Sequence, residues 1–396
     1  MKVLVVGSGG REHALVWSLA RTDAVELHAA PGNPGIAALA SCHPARAEDP
    51  AAIVPLAAEL GVDLVVVGPE APLVVGLADA LRRRGIAVFG PSAEAARIEG
   101  SKAFAKEVMA AAGVPTAGTL AVARPPCVVK ADGLAAGKGV WVCRDEASLD
   151  AALRAAQALG QPFHVEELLE GPELSVFAIA DAGEAVVLPA SRDYKRIGDG
   201  DIGPNTGGMG SFSPVADAPP VDEIVETVHR PVLRELMRRG TPFTGCLYAG
   251  LMLTERGPRV IEFNCRFGDP ETQSLLPRLE GSVLELLAAA AAGELSGVAP
   301  PACGGAAVTV VAASRDYPDR GESGTTIAGL DEAAATGALV FHAGTALQDG
   351  RVVTNGGRII DVVGTGETVE AARTAAYAGL ACVDFAGMRY RSDIGG

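Results

Sequence analysis

The sequence predicts an α/β protein in three parts. An amino-terminal doubly wound parallel-sheet domain spans 1–100. A central domain spans 101–300, with a small flap subdomain at about 115–180, and a small carboxyl-terminal α/β domain spans 301–396. Three observations carry this reading. Strand and helix signals alternate through the first hundred residues. Hairpin signals replace them from about residue 115. A Gly/Pro-rich stretch at 297–305 then precedes a last α/β module. A chain of 396 residues is long enough for roughly two to four such domains.

The run 3–6 is a buried-type strand, 12–21 is helical with Leu15 and Leu19 one turn apart, and 25–30 is a second strand. Asp49 and Pro50 start a helix, 63–67 is a strand, 72–84 is a helix ended by Gly85, and 87–89 is a short strand. Repeated βα units imply a parallel sheet covered on both faces, with ligands at the carboxyl ends of its strands. Those ends read GSGGREH (7–13), PGNPG (31–35) and GPE (68–70). Pro91 and Ser92 open a further helix, and Ser101 caps one over 102–112 that Gly113 stops. Hairpin strands follow at 127–130, 140–143, 163–168, 174–180 and 185–189, with an Ala-rich helix at 145–159. Longer helices are expected near 221–239 and 271–292.

Composition excludes several classes. Apolar residues make up 48% and aromatic residues 4%, with 49 Gly and 26 Pro, a globular profile rich in small residues. A net charge of −15 argues against a general binder of nucleic acid or anionic membrane, though a locally basic pocket for phosphates is compatible with it. Seven Cys are scattered with no CxxC pair, which suggests reduced thiols and a cytoplasmic location. No apolar run is long enough for a signal peptide or a membrane span.

The most informative stretch is 260–273, VIEFNCRFGDPETQ. Period two puts Glu262 and Asn264 on one face of a strand, about 7 Å apart, where a carboxylate and an amide oxygen can share a hard cation such as Mg2+ or Mn2+. Arg266 and Asp269 follow in a turn, and a cation site beside a guanidinium suits phosphoryl chemistry. An edge strand with a solvated polar face is the alternative. Cys265 reads as packing. The Gly7–Gly10 turn fails the dinucleotide fingerprint because GxGxxG requires Gly where Glu12 stands. A phosphate monoester on bare N–H groups of Gly9 and Gly10, with Arg11 adding charge, is the functional reading; a ligand-free turn is the plain one.

KADGLAAGKGV (130–140) is not a Walker A loop, because Gly139 follows the GK pair and a strand comes next. It reads as a flap in which Lys130 meets the inner phosphates and Lys138 rides the moving loop. The strand around Glu166, Glu167 and Leu168 can pair with a base edge, and Glu173 can take ribose hydroxyls, but a charged strand edge explains the pattern as well. The Gly-rich stretch 191–209, with Asp193, Lys195, Arg196, Asp199 and Asp201, reads as a functional loop for a small zwitterion. Asn355 to Arg358 reads as a turn, with a phosphate contact as the alternative.

With these motifs in place, the chain resembles the phosphoribosylamine–glycine ligases, ATP-grasp enzymes of purine biosynthesis. The matching strings are GSGGREHAL (7–15), PGNPG (31–35), GPE (68–70), KADGLAAGKGV (130–140), EELLEGPELS (166–175), DYKR…GPNTGGMG (193–210), YAGLM (248–252), EFNCRFGDPETQ (262–273), FHAGT (341–345) and YRSDIG (390–395). Two departures stand out. Tyr194 replaces the usual His, and Pro172 replaces a Glu while Glu173 is retained.

The resemblance implies ATP between two subdomains of an ATP-grasp domain. Lys102, Lys130 and Lys138 would meet its phosphates, Glu166, Glu167 and Leu168 the adenine side, and Glu173 the ribose. Glu262 and Asn264 would be the metal ligands. The strand YAGLM has no carboxylate, so the metal site would lean on ATP oxygens and water. Gly9, Gly10, Arg11, Asn33 and Glu70 would hold 5-phosphoribosylamine. Asp193, Lys195 and Arg266 would serve glycine, with Lys130, Asp193 and Arg266 as the catalytic set. The implied reaction joins glycine to 5-phosphoribosylamine through glycyl phosphate, giving ADP and phosphate. Expected partners are these small molecules alone, without nucleic acid or membrane, in a monomer, with a dimer as the alternative. The rival readings are another ATP-grasp ligase or carboxylase, a non-catalytic nucleotide sensor and a Rossmann oxidoreductase.

Overall fold

The computed structural model describes residues 1–133 and 139–396. The first sheet holds β1 (Lys2–Gly7), β2 (Glu26–Pro31), β3 (Ser41–Cys42), β4 (Leu64–Val67) and β5 (Ala87–Phe89), all parallel, in the order β3-β2-β1-β4-β5. Its central strands β1 and β4 are nearly continuous apolar runs because helices cover both faces. These are α1 (Gly10–Leu19), α2 (Pro50–Leu60), α3 (Glu70–Val74), α4 (Leu77–Arg82) and α5 (Ala93–Gly100). Asp49 caps α2 and Pro50 occupies its first turn, as expected. The single helix expected at 72–84 is instead α3 and α4, parted at Gly76, whose φ of 85° no helix can contain.

After α6 (Lys102–Ala112), ended by Gly113 at φ 68°, the chain forms the flap sheet. Its strands are β6 (Cys127–Ala131), β7 (Val140–Cys143) and β8 (Phe163–Glu167), in the order β7-β6-β8, with α7 (Glu146–Ala158) on one face. A second antiparallel sheet, β10-β9-β15-β16, contains β9 (Glu173–Ala182), β10 (Glu184–Val187), β15 (Phe243–Thr254) and β16 (Gly257–Asn264). Helices α8 (Val221–Ile224) and α9 (Arg230–Arg238), joined by a π turn, pack against it. The helix expected at 271–292 is broken into α10 (Glu271–Leu275) and α11 (Val283–Ala292). A 3-10 turn at Leu276–Arg278, containing Pro277, and Gly281 at φ 84° intervene.

The stretch 191–209, expected as a loop, contains β11 (Arg192–Asp193) and a two-stranded hairpin of β12 (Arg196–Gly198) and β13 (Ile202–Asn205). β11 and β14 (Gly210–Ser213) join β17 (Ala306–Ala313), β19 (Leu339–His342) and β22 (Arg358–Gly366) in one five-stranded sheet, so ladder hydrogen bonds cross the Gly/Pro-rich stretch at 297–305. The last module adds a sheet of β18 (Glu322–Thr326), β20 (Thr345–Gln348) and β21 (Arg351–Gly356), with α12 (Leu330–Ala335) and α13 (Val369–Leu380). Two apolar clusters run from the first sheet into the second. Leu4 and Val65 share one with Leu247 and Phe263, and Val5 and Phe89 share the other with Phe177 and Tyr248.

Candidate active site

The flap sheet, the β9–β16 sheet and the ends of the other modules enclose a cavity of about 1040 Å³. That lies at the top of the range of about 300–1,000 Å³ common for small-molecule sites. Its floor is β16. In the ladder, Glu262 faces Gly250 and Asn264 faces Tyr248, and both Glu262 and Asn264 line the cavity. A Cβ on Gly250 would stand 3.2 Å from Glu262 Cγ, so the glycine of YAGLM makes room for the carboxylate opposite. A register shift beside Gly250 frees the Ile261 carbonyl, which accepts from Lys130 Nζ at 3.0 Å.

Lys130 is the penultimate residue of β6 and is almost fully buried. Its ammonium pairs with Glu166 at 2.7 Å, and Glu166 also takes Lys106 and His164, each at 2.8 Å. Burial pushes the Glu166 carboxyl up, but the His164 hydrogen bond and the two ammonium groups outweigh it and hold it at about 2. Glu166 is therefore the internal counter-ion that lets two lysines sit under the cavity. Lys106 escaped the sequence reading because it lies in no recognisable motif, and His164 because the 163–168 strand is read for its carboxylates. Glu167 accepts the Gly118 N–H at 2.9 Å, and Glu167 and Leu168 both line the wall. Lys102 donates to the Gly133 carbonyl at 3.2 Å, and burial lowers its pKa despite nearby Glu262. Lys138 lies outside the described residues.

Lys195 bridges Glu173 at 2.9 Å and Glu262 at 3.3 Å. These carboxylates and Asp193 raise its pKa well above the ordinary value although burial opposes them. The Asp193 carboxyl beside it is also raised well above the ordinary carboxylate range: burial first, then Glu271, Glu173 and Glu262, outweigh the pull of Lys195. Glu271, also missed in the sequence, is 2% exposed and accepts from the Tyr248 hydroxyl at 2.7 Å. Ser175 Oγ lies 2.9 Å from that hydroxyl, so α10 joins the floor through a closed polar triad.

At the opposite end Arg266 donates to Glu70 at 3.2 Å and to Glu99 at 2.8 Å. Glu99 also accepts the Cys265 N–H at 2.8 Å, so this carboxylate from α5 sets the turn after β16. Burial raises the Glu99 carboxyl, whereas in Glu70 it is outweighed by Arg266 and Arg11, which bring that group to about 2. Arg358 reaches the same rim from β22, pairing with Asp269 at 2.8 Å. The place of Arg358 at the cavity favours the phosphate-contact alternative for 355–358 over the plain turn; its pairing with a residue 89 positions away has no local mark.

The Gly7–Gly10 turn differs from its expectation. Glu12 is 2% exposed and its carboxylate accepts the Gly9 N–H at 2.6 Å. A Cβ on Gly7 or Gly68 would fall within 2.5 Å of Glu12, so these glycines house that side chain at the switch point between β1 and β4. The expected bare N–H group at Gly9 is thus already satisfied. Arg11 pairs with Glu12 at 2.6 Å and donates to the Phe267 carbonyl at 3.2 Å, while its side chain still borders the cavity. Gly9 and Gly10 do not line the cavity; Gly10 packs against Asp361. Asn33 lies in a separate recess of about 370 Å³, its amide donating to the Ser8 and His342 carbonyls at 2.8 Å each.

Among the described residues no group of three His, Cys, Asp or Glu forms a metal cluster. Glu262 and Asn264 nevertheless fit Mg2+. That ion is commonly held by one or two carboxylates, with phosphate and water oxygens completing its shell. The Lys195 ammonium beside Glu262 also shows that this carboxylate is placed to receive positive charge.

A flap sheet with a buried lysine, facing a second sheet with a carboxylate and an amide on one strand, defines an ATP-grasp protein. Three models of one family match in order: phosphoribosylglycinamide synthetase N domain at 1–99, ATP-grasp (A) domain at 100–272 and C domain at 307–396. The chain belongs to the phosphoribosylglycinamide synthetase family. It is 52% identical to the phosphoribosylamine–glycine ligase of Streptomyces coelicolor over 413 residues, covering 100% of this chain and 98% of that protein. It is 50% identical to that of Leifsonia xyli over 415 residues, covering 100% and 99%. The crystal structure of phosphoribosylamine–glycine ligase from Thermotoga maritima superposes with a TM-score of 0.85 at 36% identity, covering 99% of this chain and 100% of that one. The biotin carboxylase domain of Hydrogenobacter thermophilus 2-oxoglutarate carboxylase, in complex with MgADP, ADP and bicarbonate, shares the fold at a TM-score of 0.71 and 19% identity, covering 98% and 91%.

Proposed function

We infer that this chain ligates glycine to 5-phosphoribosylamine at the expense of ATP, releasing ADP and phosphate. The observation that carries the reading is the full-length correspondence with the ligases, joined to a cavity that all three parts line. Glu70 and Arg11 come from the first, Lys130, Asp193, Glu262 and Arg266 from the second, and Arg358 from the last. The working units are taken as 1–100, 101–300 with the flap at about 115–180, and 301–396.

A glycine carboxylate is a poor acyl donor because its leaving group would be oxide. In the proposed first step its oxygen attacks the γ-phosphorus, the bond to the ADP oxygen breaks, and glycyl phosphate forms. In the second step the amine of 5-phosphoribosylamine attacks the acyl carbon, phosphate leaves, and the amine loses a proton. Glu262 and Asn264 would hold Mg2+, which would supply charge neutralisation at the phosphates. Lys130, Lys102 and Lys138 are assigned to the nucleotide phosphates, Glu166, Glu167 and Leu168 to the base side, and Glu173 to the ribose. Within that set, Glu166 acts through Lys130 rather than by touching the base.

Asp193 orients the glycine amine, and Lys195 and Arg266 meet carboxylate and phosphoryl charge. Glu70, Arg11 and Arg358 face the phosphoribosyl part. Gly9, Gly10 and Asn33 shape the joint that supports it. No protein nucleophile is required. Free cysteines, four of them buried, agree with the cytoplasmic location proposed here. Among the described residues no helix is long and apolar enough to cross a membrane. The working state is taken as a monomer, which light scattering checks.

The test is ADP release by the purified chain with MgATP and glycine, with and without 5-phosphoribosylamine generated in situ. Release that requires both substrates agrees with the reading. Hydrolysis indifferent to either contradicts it.

A further inference from the structure

Among the described residues, the largest fully buried side chain is a guanidinium, Arg391, which is 1% exposed. Its Nε and Nη2 donate to the two oxygens of Asp393 at 2.7 and 2.6 Å. Its Nη1 donates to Asp201 at 2.7 Å and to the Arg196 carbonyl at 3.1 Å. The guanidinium also lies over the Tyr194 ring, 4.7 Å from its centroid.

Neighbouring contacts repeat the pattern. Asp199 accepts the Ser392 N–H at 2.9 Å and also the Ser392 hydroxyl. Asp393 accepts the Gly200 N–H at 2.8 Å, and the Tyr194 hydroxyl accepts the Gly395 N–H at 3.0 Å. On its other side the segment is fixed to α13. Tyr377 donates to the Arg391 carbonyl at 2.7 Å, and Arg373 donates to the Ser392 and Ile394 carbonyls at 2.8 and 3.0 Å.

What this segment grips is the β12–β13 hairpin, which among the described residues pairs with no other strand. A lone two-stranded hairpin is marginal in water. Its turn also contains Asp201 at φ 55°, a conformation that a non-glycine residue keeps only when its surroundings fix it. Arg391 supplies that fixation. The hairpin follows Asp193 and Lys195 directly and returns through Asn205 and Thr206, all of which line the cavity.

We propose that Arg391 is a positioning residue for the ligation: it clamps the 194–207 segment so that Asp193 and Lys195 are presented to glycine. The proposal rests on the assignment of those two residues to glycine. Tyr194, where the resemblance leads one to expect His, is part of the clamp through its ring and its hydroxyl. A clamp that served stability alone would move glycine and ATP kinetics together or not at all.

The experiment uses the full chain and its variants Arg391→Met, Arg391→Lys and Asp201→Asn. Initial rates are measured against glycine and against MgATP, and hydrogen exchange is followed over 194–207. Arg391→Met is expected to raise the glycine KM by about tenfold or more with the MgATP KM within about twofold, since small misplacement of a binding group carries large kinetic effects. Amides of 194–207 should exchange at least about tenfold faster. Arg391→Lys should recover part of both effects. If Arg391→Met does not fold, Asp201→Asn, whose side chain is largely exposed, carries the same test with a shift of about threefold. Unchanged exchange, or glycine and MgATP KM values that stay fixed or rise together, would overturn the proposal. Asp193→Asn serves as the control: a glycine KM unmoved by it refutes the glycine assignment, while the exchange data still judge the clamp.

Discussion

The turn after β1 and the turn after β16 look alike in sequence, yet they spend their charges differently. Each follows a strand, contains glycine and sets an arginine beside an acid. After β1 the pair is internal: Glu12 fills the space left by Gly7 and Gly68, and Arg11 is locked onto it at 2.6 Å. After β16 the pair is assembled from a distance. Arg266 is gripped by Glu70 and Glu99 from the first module, while Glu262 and Asn264 remain on the cavity floor. A motif therefore announces polar groups. Whether they are free for a ligand depends on partners elsewhere in the chain.

That contrast is broken most directly by Glu262→Ala. It should lower kcat/KM for MgATP by about 10³-fold, the scale of losing electrostatic stabilisation at a transition state, with the urea midpoint unmoved. Near-normal turnover would remove the metal assignment. Arg266→Gln should lower kcat by about 10²-fold, and Glu99→Gln should give a smaller loss in the same direction, because Glu99 acts through Arg266. Equal losses in the two would mean that Glu99 touches substrate itself.

Arg11→Met should show the reverse pattern. Leaving Glu12 buried without its partner costs about 3 kcal/mol in urea unfolding, with kcat changed far less than by Arg266→Gln. A selective rise in the 5-phosphoribosylamine KM at unchanged stability would mean that Arg11 serves the ligand it borders more than it serves Glu12.

The joint between the first and last modules adds a pH test. Burial, and for His13 also the neighbouring His342, hold these imidazoles down to about 3 and about 4. The unfolded chain takes up both protons near pH 6.5, whereas the folded chain resists until about pH 4. Stability should therefore fall as pH drops through that window, by up to about 1.4 kcal/mol per pH unit for each histidine. Urea midpoints at pH 7 and pH 5 check this, and His13→Gln should flatten the slope. The smallest effect is expected for Gly250→Ala. Its added carbon meets Glu262 at 3.2 Å and should cost about 1 kcal/mol, read mainly as a higher MgATP KM.

The sequence carried the βα alternation, the flap hairpin and the floor strand plainly, because each rests on local periodicity and turn chemistry. The helices expected at 72–84 and 271–292 are each split in the fold, since Gly76 and Gly281 break them through positive φ, which hydrophobic spacing does not register. Glu99 and Glu271 could not be found locally, and Arg358 was legible only as the alternative to a plain turn. Each becomes functional through a partner far along the chain: Glu99 on Arg266, Glu271 on Tyr248, Arg358 on Asp269. Asn33 was legible as a polar residue in a turn but not as the bracket between the Ser8 and His342 carbonyls. Tyr194 was seen as a departure from the usual pattern, and only the packing of Arg391 shows what the ring contacts.

The central claim is that this cavity activates glycine by phosphorylating its carboxylate. The most direct measurement supplies glycine with both carboxylate oxygens labelled as 18O and analyses the released phosphate by mass spectrometry. The account predicts one 18O in each phosphate and one retained in the amide carbonyl. Phosphate released without label, at normal turnover, would contradict it.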